Sequence, residues 1–161
     1  MIIVVMGVAG VGKTTIGSKL AQRLSYTFVD ADQYHSPENV KKMAAGIALN
    51  DKDRQPWLAK LNEVLRDFWR EKKDVVLASS ALKQEYRDRI GDGLNVTWLY
   101  LTAPPEVIRE RLADRHGHFA TTRLLASQLE TLEEPRDAIV VDASGEPDTV
   151  VAEALTKIGI R

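Results

Sequence analysis

The chain has 161 residues, of which 44% are hydrophobic and 28% charged, and its formal net charge is −1. This balance is typical of one globular domain with a substantial core, and the lack of a basic excess argues against a general nucleic-acid binder. The absence of cysteine excludes disulfides, thiolate zinc sites and cysteine nucleophiles. We therefore predict a single domain over residues 1–161, with no signal peptide or membrane span, and a cytoplasmic location.

Short apolar runs alternate with amphipathic stretches, which is the pattern of a parallel sheet covered by helices. The predicted strands lie near residues 2–6, 27–30, 75–78, 96–101 and 139–141. The predicted helices cover about 15–24, 37–45 and 56–69, a stretch that opens at Pro105, and about 148–158. The sequence thus predicts an α/β fold.

The helix predicted from Pro56 carries one continuous apolar face. Its members are Trp57, Leu58, Leu61, Val64, Leu65, Phe68 and Trp69. Because such a face needs a partner, we expect these side chains to pack on the sheet rather than to form an aromatic cofactor slot.

The most specific motif is the stretch 7–14, which reads Gly-Val-Ala-Gly-Val-Gly-Lys-Thr and matches G-x-x-x-x-G-K-[ST]. It lies between a predicted strand and a predicted helix, which is the context that a phosphate-binding loop requires. The residues expected to surround the nucleotide phosphates are Gly7, Val8, Ala9, Gly10, Val11, Gly12, Lys13, Thr14 and Thr15. Lys13 should reach the β- and γ-phosphates, and the Thr14 hydroxyl should ligate Mg²⁺. The motif predicts a nucleoside triphosphate site.

Two carboxylates follow the second predicted strand, in the stretch Asp30-Ala31-Asp32. In extended backbone they point the same way, and ligands bind at the carboxyl ends of parallel strands. One carboxylate is then suited to hold Mg²⁺ through water, and the other to accept a proton from an attacking hydroxyl. The simpler alternative is a solvated turn or a helix cap.

Three groups of basic residues follow. Lys83 and Arg87 lie one helical turn apart after the third strand, which no acidic residue ends, and Arg54 lies in a polar stretch before Trp57. Such cations suit an anionic substrate. Taken alone, however, Lys83 and Arg87 indicate a solvated helix face, and the stretch around Arg54 indicates a loop of mixed charge.

The third group surrounds a glycine and contains Arg109, Arg111, Arg115, His116, His118 and Arg123. Phosphoryl transfer needs cations on the transferred phosphate and exclusion of water, so we predict a mobile lid over about 115–123. Two histidines without a third ligand are a weak basis for zinc.

Taken together, the motifs resemble the gluconokinases of the small phosphate-loop kinase type. The matching blocks, in chain order, are 6–13, 30–35, 39–46, 49–58, 80–88, 111–119 and 128–133. The chain departs from the family pattern at Ala9 and Val11, where serines are usual, and at Ala48, where proline is common.

The resemblance implies transfer of the ATP γ-phosphate to the 6-hydroxyl of D-gluconate, with Mg²⁺, on a three-layer kinase fold with a five-stranded parallel sheet. It implies Lys13, Asp32 and Arg115 as catalytic residues, Asp30 with Thr14 on the metal, and Arg111 with Arg115 on ATP. The implied substrate residues are Asp32, His35, Arg54, Lys83, Arg87 and His118, and family members are often homodimers.

Two other functions fit the residues. One is a kinase for another small anion, such as shikimate, or for a nucleotide. The other is a regulatory nucleotide-binding module, which the two carboxylates and the arginine-rich segment make less attractive.

Overall fold

The computed structural model describes residues 1–116 and 118–160, with the side chains of 115–122 outside the description. The strands are β1 (Ile2–Met6), β2 (Thr27–Asp30), β3 (Val75–Ala78), β4 (Val96–Thr102) and β5 (Ile139–Asp142). The helices are α1 (Lys13–Leu24), α2 (Pro37–Ala44), α3 (Asp51–Arg70), α4 (Gln84–Ile90), α5 (Pro105–His116), α6 (His118–Thr131) and α7 (Pro147–Ile158), and a 3₁₀ turn covers Ala31–Tyr34.

All five strands form one parallel sheet in the order β2-β3-β1-β4-β5. The central strand β1 pairs with β3 on one side and with β4 on the other, so that Ile2 lies beside both Val75 and Val96. The predicted α/β class and parallel sheet are confirmed. Because the chain crosses over on both sides of β1, the carboxyl end of β1 opens into the crevice where such sheets bind ligands.

Helices cover both faces of the sheet. Ile3 and Val5 of β1 lie in one apolar cluster with residues of α1, α5, α6 and α7, and the alternate residues Ile2, Val4 and Met6 lie in a second cluster with α3 and α4. All five residues of β1 are buried. This double burial explains why β1 reads as an unbroken apolar run. Among the described residues, no helix is both long and apolar enough to cross a membrane.

Helix α3 begins five residues before the predicted start at Pro56, because a reciprocal cap stabilises its first turn. The Asn50 side chain accepts a hydrogen bond from the Asp53 backbone N–H at 2.8 Å, and the Asp53 carboxylate accepts one from the Asn50 N–H at 3.1 Å. The spacing Asn50-x-x-Asp53 was the sequence signal for this start. Arg54 therefore lies on a helix, not on a loop.

The predicted apolar face of α3 is confirmed for Trp57, Leu58, Leu61 and Leu65, which are buried, but not for Trp69. The Trp69 side chain is 66% exposed. It lies in the last turn of α3, one residue from the helix end.

Helix α6 was not predicted as a helix. Its first residues overlap the predicted lid, 115–123. The side chains of nearly all of that segment, Arg115 and His118 among them, lie outside the described residues, so the lid stays a prediction.

The expectation that Arg87 binds an anionic substrate is corrected by its surroundings. The side chain is 3% exposed, and all five guanidinium donors are used inside the protein. Nη1 donates to the Ala81 and Leu82 carbonyls at 2.7 and 3.1 Å, and Nη2 donates to the Glu133 carbonyl at 2.7 Å. The Gln84 amide oxygen accepts from Nε and Nη2. Arg87 therefore joins α4 to the loop after β3 and to the segment that follows α6.

We expect Arg87→Lys to lower the free energy of unfolding by about 2–3 kcal/mol, because an ammonium cannot satisfy all the buried carbonyls. Urea unfolding measures the change. Arg89→Lys is the matched control, since Arg89 lies on the same helix and donates to the exposed Gln55 side chain. Equal stability of the two variants would contradict the structural role of Arg87.

Candidate active site

The phosphate-binding loop joins β1 to α1, and two of its glycines lie against neighbouring elements without space for a larger residue. A Cβ atom on Gly7 would lie 2.8 Å from the Leu101 carbonyl oxygen. Gly10 has a φ of +85°, and a Cβ there would lie 2.6 Å from Cγ of Leu112 on α5. Both positions therefore require glycine, one for close approach to β4 and one for backbone conformation and contact with α5.

Two valines attach the loop to the core. Val11 is fully buried and Val8 is 5% exposed, and both belong to the cluster on the α1 side of the sheet. The burial of Val11 accounts for an apolar residue where the related kinases usually have serine. The Lys13 ammonium donates to the Val8 carbonyl at 3.0 Å, so the lysine lies folded along the loop.

Asp30 and Asp32 reach the phosphate-binding loop, as their position predicted. Both line one pocket of about 160 Å³ together with residues of the loop and of the end of β3. The described lining residues are Ala9, Gly10, Gly12, Lys13, Thr14, Thr15, Asp30, Asp32, Ala78, Ser79, Ser80 and Leu112. Asp30 also accepts a hydrogen bond from the Asp32 N–H at 3.0 Å, so it caps the 3₁₀ turn while it faces the pocket.

Helix α3 supports the turn that carries Asp32. The buried Trp57 donates from Nε1 to the Ala31 carbonyl at 2.7 Å, and its ring stacks on His35 with centroids 4.3 Å apart and an interplanar angle of 16°. Burial lowers the pKa of His35, with the Asp32 carboxylate opposing this shift and the Arg54 cation adding to it. The charges of both Asp32 and Arg54 therefore act on the His35 imidazole, which favours the neutral form.

Beyond His35, two cations and two oxygen-bearing side chains form a cluster, which we call the α3–α4 cluster: Asp51, Arg54, Lys83 and Tyr86. The Tyr86 hydroxyl donates to the Asp51 carboxylate at 2.6 Å and accepts from Arg54 at 3.2 Å. Arg54 and Lys83 lie 3.6 and 3.5 Å from the same carboxylate oxygen. The Tyr86 hydrogen bond, followed by the charges of Lys83 and Arg54, holds the pKa of Asp51 below its ordinary value.

The α3–α4 cluster is suited to bind an anion. The side chains of Arg54 and Lys83 are 30% and 32% exposed, so both have one side toward the protein and one toward solvent. Each also lies over the Tyr86 ring, 5.5 Å from its centroid. Sequence reasoning selected the two cations but missed Asp51 and Tyr86, which position them.

Arg111 lies beside the phosphate-binding loop, as expected, but its guanidinium donates hydrogen bonds to backbone carbonyls of the protein. Nη1 donates to Val11 at 2.9 Å and Nη2 to Ala143 at 2.7 Å. The side chain lines a cavity of about 330 Å³ between the loop and the segment after β5. Arg111 therefore joins the loop to that segment at the edge of a space next to the phosphate site.

Gln128 is a residue whose contact with the loop the sequence did not reveal. Its amide oxygen accepts a hydrogen bond from the Ala9 N–H at 3.1 Å, across 119 positions in the chain. Helix α6 is thereby linked to the phosphate-binding loop. Gln128 belongs to one of the blocks shared with the gluconokinases, which was the only sequence signal for it.

Comparisons with known proteins agree with this geometry. A family model described as AAA domain matches residues 2–135. The chain is 41% identical to the thermoresistant gluconokinase of Escherichia coli (strain K12), with 98% of this chain and 93% of that protein covered. It is 43% identical to the gluconokinase of Gluconobacter oxydans (strain 621H), covering 95% and 88%. A solved gluconokinase from Sinorhizobium meliloti 1021 is 40% identical, with a TM-score of 0.86 over 97% of this chain and 90% of that chain.

Proposed function

Because the chain belongs to the gluconokinase family, we propose that it transfers the γ-phosphate of ATP to the 6-hydroxyl of D-gluconate, giving 6-phospho-D-gluconate and ADP. The observation that carries this proposal is the pair Asp30 and Asp32 facing a complete phosphate-binding loop, in a chain that resembles gluconokinases over nearly its full length. The product would feed carbohydrate-acid catabolism.

ATP is the phosphoryl donor. The loop amides and the N-terminus of α1 are suited to hold its phosphates, and Lys13 can turn from the Val8 carbonyl to the β- and γ-phosphates. The cavity beside Arg111 is large enough to take part of the nucleoside. Arg115 and His118 we assign to a lid over about 115–123 that closes on the phosphates and on gluconate.

Mg²⁺ fits the donors at the pocket. The Thr14 hydroxyl and the Asp30 carboxylate are hard oxygen ligands, and Mg²⁺ commonly combines one or two such groups with phosphate oxygens and water. Thr14 would ligate the ion directly and Asp30 through water. When bound, the ion would neutralise charge on the β- and γ-phosphates.

Asp32 is the proposed proton acceptor. The gluconate 6-oxygen forms a bond to the γ-phosphorus as the bond between that phosphorus and the β,γ-bridging oxygen breaks, and the hydroxyl proton passes to the Asp32 carboxylate. Since the proton leaves late in a loose transition state, the carboxylate acts mainly by orienting the hydroxyl. The Asp32 carboxylate opposes the lowering of the His35 pKa, and Arg54 of the α3–α4 cluster acts on the same imidazole, which suits contact of Asp32 with the acceptor.

The gluconate carboxylate is expected at Arg54 and Lys83. These cations already converge on the Asp51 carboxylate, so the α3–α4 cluster holds two positive charges against one internal negative charge. A second carboxylate would balance them, and the Arg54 fork is suited to bind it in bidentate fashion. Since the charges of Asp32 and Arg54 both act on His35, we expect its imidazole to contact the hydroxyls between the two ends of gluconate.

We also propose that residues 1–161 act as one kinase domain, located in the cytoplasm and assembled as a homodimer. The single continuous sheet supports the first statement, and the family resemblance supports the other two. Light scattering on the purified protein measures the assembly.

The activity itself is tested by coupled ADP release with gluconate, shikimate, glycerate and nucleoside monophosphates as acceptors. We expect gluconate to have the highest kcat/KM and Lys13→Ala to lower turnover at least about 100-fold, because the cation on the transferred phosphate is lost. Lys19→Ala is the control, since Lys19 lies on α1 but pairs with the exposed Asp148. A better acceptor than gluconate would overturn the substrate assignment, and an active Lys13→Ala would overturn the role of the loop.

Arg54→Lys should raise the KM for gluconate about tenfold or more and leave the KM for ATP nearly unchanged, because the bidentate contact is lost at one end of the acceptor only. Steady-state kinetics with each substrate varied in turn gives both constants. Arg66→Lys, on the same helix, should change neither. An unchanged gluconate KM in Arg54→Lys would show that the carboxylate binds elsewhere.

Substitution of Asp30 and of Asp32 should change the dependence of activity on Mg²⁺ differently. Asp32→Asn should lower kcat about 10²–10⁴-fold with Mg·ATP affinity retained, since the general base is lost. Asp30→Asn should raise the Mg²⁺ concentration needed for half-maximal activity. Activity measured while Mg²⁺ and ATP are titrated for both variants tests this. Loss of Mg·ATP affinity in Asp32→Asn would show that Asp32 is the metal-side carboxylate and Asp30 the proton acceptor.

A further inference from the structure

Ser79, the residue after β3, has a buried hydroxyl that no described part of the protein satisfies. Its backbone N–H donates to the Val5 carbonyl at 3.0 Å, which continues the pairing of β3 with β1. The residue is 3% exposed. Among the described buried side-chain nitrogen and oxygen atoms, Oγ of Ser79 is the one without a hydrogen-bond partner. Buried polar atoms are nearly always bonded, so this hydroxyl indicates a partner that arrives with a ligand.

The residues around Ser79 are those of the proposed metal site. Ser79 lines the same pocket as Thr14, Asp30 and Asp32. In the sheet, β3 lies between β1, which leads into the phosphate-binding loop, and β2, whose last residue Asp30 pairs with Ala78. Ser79 therefore lies next to the metal-side carboxylate, at the floor of the pocket between Asp30 and the loop.

Other phosphate-loop proteins differ from this chain in the residue at this place in the fold. Nucleotide motors and switches hold Mg²⁺ with an aspartate after a strand, whereas here the residue after β3 is a neutral serine. A hydroxyl oxygen is a good acceptor for a water polarised by a cation, and Mg²⁺ keeps several of its waters when it binds proteins.

We propose that Ser79 is a positioning residue for magnesium: its Oγ accepts a hydrogen bond from a water on the Mg²⁺ held by Thr14 and Asp30. The inference rests on the proposed function, because it requires Mg·ATP in this pocket. It adds a third protein group to the metal site and gives the buried hydroxyl its missing partner.

The test is thermal unfolding of three proteins: the wild type, Ser79→Ala and Ser79→Cys. Each is measured without ligand, then with a non-hydrolysable ATP analogue and EDTA, and then with the analogue and increasing concentrations of Mg²⁺. Cysteine keeps nearly the size of serine but bonds weakly, so it separates hydrogen bonding from packing. We expect both variants to unfold no earlier than the wild type without ligand, since no protein bond is lost. The analogue with EDTA should stabilise all three proteins equally.

With Mg²⁺, the concentration that gives half of the extra stabilisation should rise about 3–10-fold in both variants, the size of one lost hydrogen bond. Equal Mg²⁺ concentrations in all three proteins would overturn the role of Ser79 while leaving the metal site intact. If the analogue in EDTA stabilises the variants less than the wild type, the Ser79 hydroxyl contacts the phosphates and not a metal-bound water. If the variants unfold at a lower temperature than the wild type without ligand, the role of Ser79 is structural. Either result would overturn the proposal. If the wild type itself shows no Mg²⁺ response, the proposed metal site fails as well.

Discussion

The burial of the phosphate-binding loop against the centre of the sheet is the constraint on which the rest of the site depends. A loop that must present successive N–H groups to a ligand gives up its own backbone hydrogen bonds, so other contacts have to hold its shape. Here the fully buried Val11 and the close contact of Gly10 with Leu112 provide them. Arg111 and Gln128 add hydrogen bonds from α5 and α6. The loop is thus preorganised by the same helices that cover one face of the sheet.

The other face of the sheet organises the acceptor side. Trp57 joins α3 to the turn that carries Asp32, and its ring stacks on the half-buried His35 imidazole, on which the charges of Asp32 and Arg54 both act. Since α3 also carries Arg54 and Asp51, one helix positions the turn that carries Asp32 together with one of the two cations of the α3–α4 cluster, whereas Lys83 lies at the N-terminus of α4. Under the proposed function, the separation between Asp32 and the cations expected to bind the gluconate carboxylate is therefore set by packed elements, which favours selection of an acceptor by its length.

Charge in this chain is used in two different ways at neighbouring positions. Lys83 and Arg54 remain partly exposed and share a single carboxylate, so they can bind a further anion. Arg87, four residues after Lys83, is buried, and each of its N–H groups donates to a backbone carbonyl or to the Gln84 side-chain oxygen. Residue type alone does not distinguish the two, because the difference lies in burial and in the number of acceptors around each cation.

The sequence by itself determined the strand positions, the phosphate-binding loop and the two carboxylates after β2, because each is encoded by residues adjacent in the chain. Only the tertiary structure decided the remainder. Arg87 donates to a carbonyl 46 positions away, Gln128 accepts from an amide 119 positions away, and Trp69 is exposed although its neighbour Phe68 packs on the core. The buried hydroxyl of Ser79 likewise arises where three strands end side by side. Burial and long-range partners are properties of the assembled layers, which local patterns do not contain.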